Sequence, residues 1–160
     1  MRGDTLSIVP LVILALLLVS AAVQDARTRE IANWKNAAIA LLAPLYWWTC
    51  GLSVWPDMVT QLGLAVVVFA LFVAAFQFGW MGGGDVKMIG ALALWLPLAA
   101  LVWMLIVMSL VGGVLTAIVL LEHRLRRRTT QIEIPYGVAI AIAALFALRE
   151  PLFNHFGVIA

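Results

Sequence analysis

The chain has 160 residues, of which 65% are hydrophobic and 11% charged, with a formal net charge of +2 and a mean hydropathy of +1.09. An ordinary globular domain carries about 25% charged residues, so composition excludes a soluble domain and points to an all-α integral membrane protein. Cys50 is the lone cysteine, which excludes an internal disulfide and a cysteine-rich zinc module.

A helix that crosses the bilayer needs about 20 predominantly apolar residues, so the rare charges act as punctuation. In chain order they predict spans over residues 6–24, 36–55, 58–79, 85–96, 98–121 and 133–148, a bundle of about six transmembrane helices. No basic segment precedes the first apolar stretch and no small-residue cleavage site clearly ends it, so it reads as a span rather than a removable signal peptide. Met88 to Leu121 is one uncharged run that would serve a single long helix or two tight ones. Pro97 and the charge balance favour two. With that split, loops 25–35, 80–87 and 122–132 share one side and hold Arg27, Arg29, Lys35, Lys87, Arg124, Arg126, Arg127 and Arg128, leaving only Arg2 and Arg149 opposite. The positive-inside rule makes the richer side cytoplasmic and puts both termini outside. The basic run from His123 to Arg128 reads as a topology determinant beside anionic lipid, not as a nucleic-acid patch. No long-period repeat and no extramembrane stretch able to bury its own core is evident, so residues 1–160 read as a single transmembrane domain.

An ionised carboxylate in hydrocarbon is costly, which makes intramembrane acids functional candidates. Two qualify: Asp25, which closes the first span in VQDARTRE, and Asp85, which opens the fourth in GGGDVK. Both lie on cytoplasmic turns and can meet. The fourth helix has only about a dozen residues before Pro97, under about 20 Å at 1.5 Å per residue, so its N-terminus is expected below the inner surface. Non-helical backbone at that depth needs a wet or protein-lined cavity. The triple glycine Gly82, Gly83 and Gly84 fits such a pocket, because the missing Cβ permits close approach and positive φ. The ordinary alternatives are Asp85 as a helix N-cap and Asp25 paired with Arg29 one turn on. Lys87 shares no helix face with Asp85 and is expected to reach toward the headgroups. Two close carboxylates share a proton, so that the ionised one activates water while the protonated one polarises a carbonyl. That is peptide hydrolysis of the aspartic-protease kind, with no metal and no cofactor.

These residues resemble the type IV prepilin peptidases, intramembrane aspartic proteases of the Gly-x-Gly-Asp kind. Gly82, Gly84 and Asp85 match the signature, and Val86, Lys87 and Met88 continue it. Asp25 matches the first catalytic aspartate, followed at the family's spacing by Arg27, Ile31 and Asn33, and the stretch from Ile134 to Ala141 resembles the opening of the last span in the short members that serve Tad-type (Flp) pili. The resemblance implies catalysis by Asp25 and Asp85, with Gly82, Gly83, Gly84, Lys87, Arg27, Asn33 and Tyr136 shaping the site or meeting the substrate. The implied substrate is a prepilin with a short basic leader, a glycine before the scissile bond and a hydrophobic helix after it. Lipid and other pilus-assembly proteins complete the implied partners, and the implied location is the bacterial inner membrane with the site facing the cytoplasm. Ala32 stands where the family usually has proline. The longer members carry a cysteine-rich methyltransferase domain, so with Cys50 alone a peptidase without methyl transfer is expected. A non-catalytic assembly subunit and a proton-coupled carrier are the alternatives. A carrier would hold its acids near the midplane on broken helices of an inverted repeat.

Overall fold

The computed structural model of the chain describes residues 2–125 and 134–149. Arg126, Arg127, Arg128 and Glu133, part of the basic loop and the predicted start of the last span, lie outside the described residues. Six α-helices follow one another: α1 (Arg2–Thr28), α2 (Asn33–Thr49), α3 (Val59–Gln77), α4 (Gly83–Leu92), α5 (Leu98–Leu125) and α6 (Tyr136–Ala147), with a wide turn at Val54–Met58 before α3. In that turn the Asp57 carboxylate accepts the Ser53 N–H at 3.0 Å and the Ser53 hydroxyl at 2.8 Å, so this acid ties down the entry to α3.

Among the described residues three stretches are long and apolar enough to cross a membrane: Leu6–Thr28, Val54–Gln77 and Leu98–Leu125. The other three helices are shorter: α2 and α6 fall short of their predicted spans, and α4 is short as Pro97 predicts. α2 has 17 residues, α4 has 10 and α6 has 12, or about 26, 15 and 18 Å at 1.5 Å per residue. The break at Pro97 is real, since α5 starts at Leu98.

Burial follows this division of lengths. α4 packs against α2, α3 and α6, while α6 packs against α1, α4 and α5, and α1 also meets α2. α1, α2, α4 and α6 therefore form a closed inner ring, with α3 and α5 as flanks. In the ring, Val86 and every residue from Met88 to Leu92 of α4 are buried, as are Gly137, Ala139, Ile140, Ala141, Ala143 and Ala144 of α6. Such small residues let helix backbones come close without help from a hydrophobic driving force, which apolar lipid does not supply. α3 buries only Ala65 and Val68.

A helix that stops inside an apolar bundle leaves carbonyls without intrahelical partners, and hydrocarbon cannot satisfy them. Side chains do so where α4 ends. Gln61 of α3 donates its amide to the carbonyls of Ala93 and Leu96, both at 2.7 Å, and the Trp47 indole of α2 donates to Leu94 at 2.8 Å. The Trp95 indole returns a bond to the Ile39 carbonyl at 2.9 Å. At the opposite end of α2, Lys35 is buried and donates to the Ser20 carbonyl at 2.8 Å and the Ser20 hydroxyl at 2.7 Å. Lys35 is thus an α1–α2 tie, not the loop cation that the charge pattern predicts.

Candidate active site

α1 remains helical past Asp25 to Thr28, where Arg29 takes a left-handed φ of 57° and its N–H returns to the Asp25 carbonyl at 2.9 Å. This left-handed cap, a position where glycine is commoner, turns the chain through residues 30–32 into α2. Asp25 is 4% exposed. Its Oδ2 accepts the Val138 N–H at 3.2 Å, and the Gly137 amide also donates to its carboxylate. The first turn of α6, whose N–H groups have no intrahelical acceptors, thus faces the carboxylate of α1. A Cβ on Gly137 would stand 2.9 Å from Asp25 Cγ and Oδ2 and 2.7 Å from Ile31 Cδ1. Gly137 is therefore needed for α6 to approach the acid at all.

Asp85 sits in the first turn of α4, whose N-cap is Gly82 with φ −72° and ψ 145°. Asp85 is not the N-cap itself. It lies three residues inside, and its carboxylate reaches back to the Gly82 amide, the acid half of a capping box. The glycines permit close approach rather than positive φ, which is found at Gly51 and Gly79 instead. A Cβ on Gly82 would lie 3.0 Å from Asp85 Oδ2, and one on Gly84 would lie 3.4 Å from Ile31 Cβ. Ile31 thus fills the space between the glycine of α4 and the glycine of α6.

Asp25 and Asp85 line one open cavity of ≈ 950 Å³, with Arg29, Ile31, Asn33, Trp80, Gly82, Gly83, Gly84 and Tyr136 also in its wall. Two of the residues implied around the acids are not in that wall. Arg27 is exposed, because two residues along a helix amount to a rotation of about 200° and carry it off the face of Asp25. Lys87 is displaced from the acid by the same geometry, and its Nζ donates to Asn33 Oδ1 at 2.8 Å. Asn33 accordingly bridges the cavity wall and α4. Arg29, in the wall, is within electrostatic reach of Asp25.

Sequence reasoning gave Gly137 and Asn36 no place in the site. Gly137 lies in the stretch quoted from Ile134 to Ala141, and a glycine in the first turn of an apolar helix is the signal that marks it. Asn36 is buried, and its Nδ2 donates to the Gly84 carbonyl at 3.1 Å. Its signal is a polar residue one helical turn after Asn33 at the head of an apolar run.

Carboxylates from two helices in one cavity, at one end of an apolar bundle, define a helical membrane protein with two acids in a shared site. The chain belongs to the type IV leader peptidase family, whose model matches residues 12–117, a stretch that holds both acids. It is 29% identical over 153 residues to the prepilin leader peptidase/N-methyltransferase of Bacillus subtilis (strain 168), an alignment covering 91% of this chain and 57% of that relative. The chain therefore spans less than two thirds of the length of this curated relative. No solved structure matches it.

Proposed function

We propose that the protein is an intramembrane aspartic endopeptidase that removes the short basic leader from type IV prepilins of the Flp/Tad type, at the cytoplasmic face of the bacterial inner membrane. The observation that carries this reading is the shared cavity of Asp25 and Asp85. One carboxylate, ionised, takes a proton from water as the water attacks the scissile carbonyl. The other, protonated, donates to the carbonyl oxygen; as the C–N bond breaks, the first acid passes the proton it took from water to the leaving amine, and the second recovers its proton from a hydroxyl of the tetrahedral intermediate. The Asp25 Oδ2 atom accepts the Val138 N–H, so a proton carried by Asp25 is best placed on its other oxygen.

The topology in this reading is six crossings with both termini outside, in which the short α2, α4 and α6 are completed by their flanking turns. The pilin's apolar helix lies in lipid beside the bundle while its basic leader stays among cytoplasmic charges, which brings the junction to the depth of the acids. The exposed glycine-rich rim of the cavity leaves room for an extended substrate backbone. The assignment covers the peptidase step, and methyl transfer is not assigned to these residues. The test is cleavage of a purified prepilin by the reconstituted protein, followed by the mass of the released leader. Cleavage at the glycine junction supports the reading, and its absence with a folded, inserted protein refutes it.

A further inference from the structure

Asn36 is one turn into α2 and 4% exposed. Its Nδ2 donates to the Gly84 carbonyl at 3.1 Å, whereas its Oδ1 is buried without a hydrogen-bond partner among the described residues. A buried amide with an unmet acceptor is a poor filler, because an apolar side chain of the same shape would avoid the desolvation cost. What Asn36 gains is the single bond to Gly84, in a place where a Cβ on Gly84 would already lie against Ile31 at 3.4 Å. The Gly84 carbonyl belongs to the peptide whose nitrogen is that of Asp85. A donor fixed on that carbonyl fixes the peptide plane from which the Asp85 side chain leaves.

We propose that Asn36 is a positioning residue for Asp85: from α2 it holds the Gly84–Asp85 peptide and so sets the direction in which the Asp85 carboxylate enters the cavity opposite Asp25. This rests on the aspartic-peptidase reading for its catalytic consequence, but not for the geometry itself. Asn36→Leu keeps the shape and removes the donor. Two measurements test it. In the first, Asn36→Leu should lower kcat for prepilin cleavage at least tenfold with KM within twofold of wild type and an unlowered melting temperature. In the second, Asp85→Cys is made together with Cys50→Ser, since Cys50 is exposed, and the thiol at position 85 is labelled with a maleimide in membranes. Adding Asn36→Leu should change the labelling rate at least threefold.

An unchanged labelling rate overturns the proposal whatever the kinetics show. So does a wild-type kcat, or a kcat that falls only in proportion to the folded fraction. If wild-type protein cleaves no prepilin and labelling still responds to Asn36→Leu, the peptidase reading fails and the positioning of residue 85 stands. Should Asn36→Leu not fold, Asn36→Ala removes the same donor and is read by the same criteria.

Discussion

Gly137→Ala adds one methyl group at the closest approach between helices α1 and α6. The new carbon would stand 2.7 Å from Ile31 Cδ1 and 2.9 Å from both Cγ and Oδ2 of Asp25. The isoleucine methyl is the free end of a flexible side chain and can turn aside. The carboxylate is held by the Val138 amide and cannot move without losing that bond. Restoring ordinary contact requires a shift of about 0.5 Å at the acid, which α6 or the carboxylate must supply. Overpacking of this kind costs about 1–3 kcal/mol of stability, and a misplacement of about 1 Å at a reacting group costs about 100-fold in rate. Half that shift together with the lost amide bond gives an expected fall in kcat of about ten- to a hundredfold. The assay is the initial rate of prepilin cleavage in proteoliposomes, beside a melting curve. Gly113→Ala is the control, since a Cβ there meets nothing within 4 Å. It should retain activity and gain about 0.5–1 kcal/mol from helix propensity. A Gly137→Ala enzyme with wild-type kcat would refute the claim that this glycine sets the place of Asp25.

Asp25→Asn and Asp85→Asn should each abolish cleavage while leaving the protein inserted and folded, because an asparagine oxygen at position 25 still accepts the Val138 N–H. Since the acids act as a unit, the double variant should be no slower than either single one, and measurable turnover by a single variant would count against the dyad. Gln61→Leu strips two carbonyls at the end of α4 of their donor and should destabilise the protein by about 1–3 kcal/mol for each group left unpaired, read as a lower melting temperature in detergent. An unchanged melting temperature would mean that those carbonyls find other partners. Ala32→Pro should be tolerated and stabilise by about 0.4–1 kcal/mol, because Ala32 already has φ −59°. A loss of folded protein would show that the chain entering α2 does not accept the ring.

Charge and proline made much of this architecture legible. Few charged residues interrupt the apolar runs, so Asp25 and Asp85 stood out before any contact was known, and Pro97 marked where one uncharged run divides. Hydropathy was less informative where polar groups are satisfied inside the bundle. It began the second span at residue 36, yet α2 starts at Asn33 and buries Lys35, because the Ser20 carbonyl and hydroxyl receive that ammonium. The short α4 was legible from Pro97, but the lengths of α2 and α6 were hidden, since an apolar sequence does not reveal where buried polar groups will take up the carbonyls at a helix end. Gly137 and Asn36 depend on a third helix arriving at an acid-bearing one. Periodicity within a helix does not encode that arrival.

The bonds at the far end of α4 also bear on how the protein responds to the membrane around it. Gln61 and Trp47 anchor that end to α3 and α2, and Asn36 and Lys87 anchor its start to α2, so neither end depends on lipid for its level. When bilayer thickness changes, helices accommodate by tilting or by distorting the nearby lipid. In this bundle the helices long enough to make that adjustment are α1, α3 and α5. The height of Asp85 is then measured from its neighbours rather than from the membrane surface, and the same bond register is expected in thin and thick membranes.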